Sequence, residues 1–444
     1  MTKDIAIGIL LLVPGLAVAQ AAAPAQTPPP AQATPAAPAP ATRIITIQEA
    51  EQSALAHLPQ LRQAQANAAA GSARADQARA GLLPQVDVTA GYTRSGPQSS
   101  LGFTASGPRS ANQFSGQVSV GQVLFDPATF YGWRSAGASA QSLRETADTT
   151  RLDALSGVRA AYFAARADRD LAGVARETVQ NDEAHLRQTE AFVEVGTQPA
   201  IALAQTRSQL ASARLTLIQA ENTYANAKAQ LAQAMGLESW GPFEVGDDTI
   251  PPIPGEDGAL EPLLSEAFSA RPELASLQAA ERANRESLTA ARSGYLPTVS
   301  ARGTYDETGP AIDNTQGIWS AGVNLSWNLF GGGITSARVR EADANLESLR
   351  AQDVALRTSI RVAVEQALLG VRAAVSSVSA AREAETNARE QLRLAEGRYQ
   401  AGAGSIIELG DAQVAVNTAA AQRVQTEYNL AAARAALLRA LGRS

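Results

Sequence analysis

The sequence predicts an internally duplicated protein of mixed α and β structure, with four amphipathic strands and long antiparallel coiled-coil helices. Three observations support this prediction. A motif ending in Leu-Pro occurs twice, alternating apolar and polar residues follow each copy, and apolar residues spaced three and four apart fill much of the remainder. Each strand is apolar on one face only and about 9 to 12 residues long, which suits a transmembrane β-strand.

The composition argues against several classes of function. The 444 residues carry a formal net charge of -6 and contain no cysteine. Nucleic-acid binding requires clustered Lys and Arg, so no nucleic-acid partner is expected. Without cysteine the chain can form no disulfide and carry no lipid-modified cysteine. Aromatic residues make up only 5% of the chain while alanine is abundant, a balance that favours closely packed helices.

The N-terminus has the pattern of a secretory signal peptide. Lys3 precedes an apolar run, and Ala17-Val18-Ala19 offers the small residues at which signal peptidase cleaves. We therefore predict a signal peptide over residues 1–19 and export of the mature chain. Residues 20–43 are rich in Ala, Pro, Gln and Thr and are predicted to form a flexible tail.

Two structural repeats account for the rest of the chain. The sequence GLLP at residues 81–84 recurs as GYLP at residues 294–297, an offset of 213. The predicted organisation is a first repeat at 44–236, a linker at 237–258 and a second repeat at 259–442. The repeats differ chiefly by a surface loop rich in Ser, Gly and Pro between Val86 and Leu124 of the first copy.

The first element of the first repeat is a predicted helix. It begins at Thr46, and Glu49 three residues on completes a capping box. The helical pattern continues to about Ala80 and stops before Pro84, whose ring cannot continue a helix.

Each repeat then contains a pair of amphipathic strands. The strands are predicted at about residues 85–94, 113–125, 298–306 and 318–329. The apolar face of the last strand is expected to contact membrane lipid and carries Trp319, Val323, Leu325 and Trp327. An open sheet edge in lipid leaves backbone groups unsatisfied, so four strands need the strands of sister chains. The alternative is a soluble four-stranded sheet packed on helices.

Long helices follow each pair of strands. In the second repeat, apolar and small residues recur three and four apart from Leu346 to Ala374, as in a coiled coil. Each long helix is expected to reverse at a glycine turn and to return as a helical hairpin. The first turn is placed at Gly196, and the second at Gly402 and Gly404.

The order of these elements resembles that of the TolC family of outer-membrane efflux proteins. Between Ile44 and Gly442 the chain twice contains a helix, Gly-Leu/Tyr-Leu-Pro, an amphipathic hairpin, Leu-Phe-Asp/Gly, a long helix, a Val/Ala-Gly turn and a return helix. The resemblance implies a homotrimer, with a twelve-stranded barrel in outer-membrane lipid continuous with a helical tunnel across the periplasm. It also implies a periplasmic adaptor (membrane fusion protein) and an inner-membrane RND, ABC or MFS transporter as partners.

The resemblance implies a passive outer-membrane exit for substrates that these partners deliver, in drug or small-molecule efflux or in type I secretion. No enzyme activity, cofactor or metal is expected, because the sequence has no phosphate-binding loop and no zinc-protease motif. His57 and His185 lie on separate helical stretches and are expected on helix surfaces. The alternative is a periplasmic coiled-coil adaptor or structural protein, which lacks the paired amphipathic strands.

The resemblance further places a constriction at the periplasmic end of the tunnel. Glu408 and Asp411, three residues apart and so on one helix face, match the acidic positions of the family's entrance, and Tyr399 matches an aromatic position. A solvated acidic face is the alternative. The family's closed state pairs a basic residue with an acidic residue of the first hairpin, whereas this chain has Gly404 and Ala202 there. Closure is therefore expected to depend on helix packing.

Overall fold

The computed structural model describes residues 43–96 and 111–443. The predicted signal peptide, the predicted tail up to residue 42 and most of the loop of the first repeat lie outside the described residues. Within the described ranges, no helix combines the length and the hydropathy that a membrane-spanning helix needs.

The described elements form the same series twice. In chain order they are β1 (Arg43–Ile45), α1 (Ile47–His57), α2 (Pro59–Ala80), β2 (Gln85–Ser95), β3 (Ala111–Phe125), α3 (Pro127–Glu194), α4 (Ala200–Ala234), β4 (Phe243–Val245), α5 (Leu260–Ala270), α6 (Pro272–Ser293), β5 (Thr298–Ala311), β6 (Asn314–Ser326), α7 (Ile334–Gln400) and α8 (Ile406–Leu441). Each repeat thus has a short strand, two short helices, two long strands, a long helix and a return helix.

Two short strands lie where the sequence predicts a flexible tail and a linker. Arg43, assigned to the flexible tail, belongs to β1, and β4 lies inside the predicted linker 237–258. The two strands pair in parallel, with Ile44 opposite Glu244. Ile45 and Val245, which end the two strands and lie opposite each other, are buried. Strands of three residues are too short to show an alternating pattern, so the sequence gives no sign of them.

The predicted helix from Thr46 to Ala80 is two helices. Pro59 offers no N–H and disfavours helical geometry before it, so Leu58 is extended, with φ -63° and ψ 119°. The same break occurs at Arg271, before Pro272, between α5 and α6. The predicted cap is present, since the Thr46 hydroxyl accepts a hydrogen bond of 3.3 Å from the Glu49 amide.

The four long strands form one antiparallel sheet in the order β2-β3-β5-β6. Its register aligns apolar residues across the sheet: Val88 lies opposite Val118, Val118 opposite Tyr305, and Tyr305 opposite Trp319. The adjacent row on the other face is polar and consists of Asp87, Ser119, Thr304 and Ser320. Among the described residues, β2 and β6 each pair on one side only. The sheet is therefore amphipathic and has two open edges.

Each repeat has one unbroken helix beside a series of shorter ones. α3 contains 68 residues and α7 contains 67, which at 1.5 Å per residue gives about 100 Å. Gly236, just after α4, lies against the break between α1 and α2, because a Cβ there would be 2.7 Å from the Leu58 nitrogen. Apolar cores lie midway along the long helices, one around Tyr162 and the other around Ile360.

Candidate functional site

Glycine residues shape the tips of the two helical hairpins. Gly196 follows α3 with φ 75°, and Gly402 follows α7 with φ 72°, the left-handed conformation that glycine adopts without strain. Gly404 has a different role. A Cβ at this position would lie 2.9 Å from the Tyr399 nitrogen and 3.1 Å from the carbonyl carbon of Arg398. Only a residue without a side chain lets the chain pass so close to the end of α7.

Tyr399 is buried where the second hairpin meets the first. Its side chain is 3% exposed and packs in a cluster with Leu409 of α8. Its ring centroid is 5.6 Å from that of His185 and 6.0 Å from that of Phe192, both on α3. The Tyr399 hydroxyl is buried and has no hydrogen-bond partner among the residues that the structure describes. Ring packing therefore joins the two hairpins at this position.

Glu408 has a partner across the turn. Its Oε1 lies 2.9 Å from Nη1 of Arg398, while its backbone N–H donates a hydrogen bond of 3.1 Å to the hydroxyl of Ser405, the residue that caps α8. Arg398 is in the last turn of α7 and Glu408 in the first turn of α8, so each charge also suits its helix dipole. The sequence does hint at this ion pair, because a basic and an acidic residue lie on either side of the predicted turn.

Asp411 lies about one turn further along α8 than Glu408, and its surroundings differ from those of Glu408. It is exposed and forms no ion pair with any described residue. Beside it a cleft of about 860 Å³ opens between the two hairpins, lined by α3, α4, α7 and α8. Of the two predicted acidic residues, Asp411 alone therefore carries a carboxylate without a cationic partner among the described residues.

Burial alters the pKa of two side chains of α3 that line this cleft. It raises the pKa of Asp182 and lowers the pKa of His185, because each charged form loses water. A hydrogen bond with Gln188 partly opposes the change at His185. The expectation that both histidines lie on helix surfaces holds for the exposed His57, but His185 is half-buried against Tyr399.

The predicted lipid-facing residues lie at the second pair of strands. Trp319, Val323 and Leu325 of β6 are between 63% and 75% exposed. Trp327 belongs to the strand predicted at about residues 318–329, but β6 ends at Ser326, so Trp327 lies just beyond the observed strand. Its indole N–H donates a hydrogen bond of 3.1 Å to the carbonyl oxygen of Tyr295, which precedes β5.

Comparison with known proteins identifies relatives along almost the whole described chain. The sequence matches a family model described as outer membrane efflux protein over residues 50–237 and 263–443, one range for each repeat. Protein CyaE of Bordetella pertussis is 30% identical over 383 residues, which cover 85% of this chain and 80% of CyaE. Outer membrane protein TolC of Salmonella enteritidis is 23% identical over 393 residues, covering 86% of this chain and 79% of TolC.

The fold also matches solved structures. A crystal structure of CusC, from work on its folding and transmembrane channel formation, superposes on this chain with a TM-score of 0.79. The match covers 91% of this chain and 94% of CusC. The sequence identity is 18%. At this identity the likeness establishes a common fold.

Proposed function

The chain belongs to the outer membrane efflux protein family, whose members are channels, and from this membership we propose that three copies form a passive exit across the periplasm and outer membrane. The protein lies in the outer membrane and extends into the periplasm, as its relatives do. In the proposed assembly a periplasmic adaptor and an inner-membrane RND, ABC or MFS transporter deliver the substrate. The substrate is then a small molecule in efflux or a protein in type I secretion.

The register of the sheet is the observation that supports this proposal most directly. One face is apolar across all four strands, and neither β2 nor β6 has a partner on its outer edge in the part of the chain that the structure describes. In lipid, such edges leave backbone groups without partners at a cost of several kcal/mol each, so strands of other copies must pair with them. The number of copies, three, follows the family resemblance.

We further propose that the hairpin tips form the periplasmic entrance of the channel. Glu408 and Asp411 lie on one face at the start of α8, and Tyr399 is buried behind them. In a trimer the unpaired carboxylate of Asp411 would occur three times around one axis. Arg398 offsets the charge of Glu408, so Asp411 contributes most of the negative potential that attracts cations.

Planar-bilayer recordings of the purified channel test the entrance. Replacing both Glu408 and Asp411 by Ala should lower selectivity for cations over anions and weaken block by multivalent cations, with trimer yield unchanged. The control is Glu183→Ala, which removes an exposed acid already paired with Arg214. Wild-type selectivity and block in the double variant would show that the two carboxylates form a solvated outer face.

A second variant at the same tip should change selectivity in the opposite direction. Arg398→Gln removes the cation that offsets Glu408, so the entrance becomes more negative and cation selectivity should rise. The guanidinium is 60% exposed, and such pairs contribute about 0 to 1 kcal/mol to stability, so folding should be retained. Arg393→Gln is the control, because Arg393 pairs with Glu390 within α7. Equal selectivity of both arginine variants would contradict the proposed location.

A further inference from the structure

A groove opens where the sheet meets the helices. It lies between the end of β3, the first turns of α3 and the last turn of α6. Its volume is about 640 Å³, within the range of about 300 to 1,000 Å³ that is usual for binding sites of organic molecules. The hydroxyl of Ser135 on α3 donates a hydrogen bond of 2.8 Å to the carbonyl oxygen of Ala283 on α6, so the two helices that flank the groove are joined.

Large apolar side chains line much of this groove. Leu124 and Phe125 stand at the end of β3, Phe130 in the first turn of α3 and Leu296 just after α6. Each of the four is between 41% and 56% exposed. An exposed apolar patch that is continuous in this way marks a surface that contacts an apolar partner.

The groove continues the lipid-facing surface of the sheet. The register shifts between Val123 and Phe125, and this shift sets Phe125 opposite Val299. Val299 in turn lies opposite Leu325 of the predicted lipid-facing row. Because opposite residues of an antiparallel pair share a face, Phe125 extends the apolar face into the groove. β3 pairs with β2 on one edge and β5 on the other, so no strand of another copy can pair with it here.

Aromatic side chains mark the same end of the sheet as a membrane boundary. The ring centroid of Phe130 lies 5.5 Å from that of Tyr131 and 5.8 Å from that of Trp133. Trp327 lies at this end as well, just after β6. Tyr and Trp concentrate at the level of the lipid headgroups. Since α3 and α7 begin here and the protein extends into the periplasm, the groove lies at the periplasmic leaflet of the outer membrane.

The groove also has a cation without an acidic partner. Arg292, in the last turn of α6, lines it, is exposed and forms no ion pair with any described residue. Arg134 of α3, by contrast, lies 2.8 Å from Glu286. The carboxylate that lines the groove, that of Asp126, accepts three hydrogen bonds from the first turn of α3. An apolar surface and a free positive charge therefore meet in one groove at the depth of the headgroups.

We propose that this groove binds an anionic glycerophospholipid of the periplasmic leaflet. The phosphate accepts charge-assisted hydrogen bonds from the guanidinium of Arg292, and an acyl chain lies against Leu124, Phe130 and Leu296. A zwitterionic lipid binds less tightly, because its own ammonium group repels Arg292 and offsets the charge of its phosphate. The proposal rests on the location of the protein in the outer membrane, and it requires neither three copies nor the proposed entrance.

Native mass spectrometry of the purified, detergent-solubilised full-length protein tests the site by titration with phosphatidylglycerol and, separately, with phosphatidylcholine. The wild type should bind phosphatidylglycerol more tightly. Arg292→Gln should weaken that binding about tenfold or more, the loss expected for one charge-assisted hydrogen bond, and should abolish the preference between the two lipids. Arg282→Gln is the matched control, because Arg282 is exposed and unpaired among the described residues but lies outside the groove, about 15 Å earlier along α6.

A second pair of variants tests the apolar part of the groove. Leu124→Ser should weaken the binding of both lipids, because it removes an apolar side chain from the acyl-chain contact. Ile218→Ser is the control and should bind both lipids as the wild type does, since Ile218 lies on α4 outside the groove. Both side chains are more than half exposed, so both variants should fold.

Four outcomes would overturn the proposal. They are equal affinity of the wild type for the two lipids, equal weakening by Arg282→Gln, displacement of the lipid by inorganic phosphate at equal concentration, and loss of the oligomer in Leu124→Ser. The third would indicate an anion site without a lipid, and the fourth an interface between copies. Bound lipid is counted per polypeptide chain, so the number of copies does not enter. A channel that conducts, and whose Arg292→Gln variant binds phosphatidylglycerol as the wild type does, would contradict the lipid site alone.

Discussion

Single residues determine how the two hairpins meet at their tips. At position 404 even a methyl group would press on the backbone of Tyr399 and Arg398, so no basic side chain fits there without moving the turn. Ala202 occupies the position of the acidic partner in the salt bridge of the family resemblance, and it is 1% exposed. At this position the two hairpins are joined by the contact of Tyr399 with His185 and Phe192.

The close approach at Gly404 leads to a first prediction. Gly404→Ala should lower the temperature at which the purified protein loses helical circular dichroism, because overpacking costs about 1 to 3 kcal/mol. Gly397→Ala is the control within α7, since a Cβ there meets no atom within 4 Å. It should keep or raise that temperature, because alanine favours the helix by up to about 1 kcal/mol. Equal shifts in both variants would contradict the steric explanation.

The half-buried His185 predicts a dependence of stability on pH. Burial lowers its pKa below the ordinary value of 6.5, so its contribution to stability is present above that value and is lost as the pH falls through the lowered pKa. Asp182 acts in the opposite sense, because its raised pKa favours the folded state at low pH. The other titratable groups that line the cleft are Glu396, Tyr399 and Asp411.

Thermal unfolding measured from about pH 7 to 5 tests this assignment. The wild type should lose stability over that range, and His185→Gln should lose less. His57→Gln is the natural control, since the chain has only two histidines and His57 is exposed. If the His57 variant reduced the pH dependence of stability and the His185 variant did not, the burial of His185 against Tyr399 would not be the cause of that dependence.

At the scale of elements, the sequence predicts strands well where apolar and polar residues alternate and poorly where they do not. Alternation stops near Asp306, yet β5 continues to Ala311 and β6 begins at Asn314. Backbone pairing extends the β-hairpin there without an alternation of apolar and polar side chains, and with an irregularity between Thr308 and Ala311. The three-residue strands have no period to detect, and the helix breaks depend on a single proline.

The two faces of β6 give a prediction at this scale. Val323, opposite Ala301 on the apolar face, should contact lipid, whereas Asn324, opposite Ser300, should face the lumen. Arg near the midplane of the lipid face costs about 2 to 4 kcal/mol and little in a watery lumen. Val323→Arg should therefore reduce the yield of detergent-extracted trimers far more than Asn324→Arg. Equal yields would mean that β6 is not a lipid-facing strand.

At the scale of the molecule, the repeated order of elements follows from motifs that the sequence shows twice. The tips are only partly predictable. Glycines locate the turns, and an acidic residue beside each predicted turn is visible in the sequence. The contact of His185 with Tyr399 and the cleft beside Asp411 depend on α3 lying next to α7 and α8. No local pattern encodes that arrangement, because it brings together residues from separate repeats.

The whole chain also gives a prediction about its processing. Mass spectrometry of the protein purified from outer membranes should show an N-terminus near Gln20, because Ala17-Val18-Ala19 offers a signal-peptidase site. Ala19→Pro is expected to block cleavage and leave the precursor. A purified protein that still begins at Met1 would contradict export through this signal.

The breaks at Leu58 and Arg271 have a mechanical consequence. In each repeat one continuous helix, α3 or α7, runs beside several shorter helices that meet end to end at a joint. We expect bending to concentrate at the joint between the shorter helices, because element ends can absorb changes in backbone angle. Gly236 lies against the first joint and Gly442 against the second. The joint at which bending is expected therefore occupies the same place in the series of elements of both repeats.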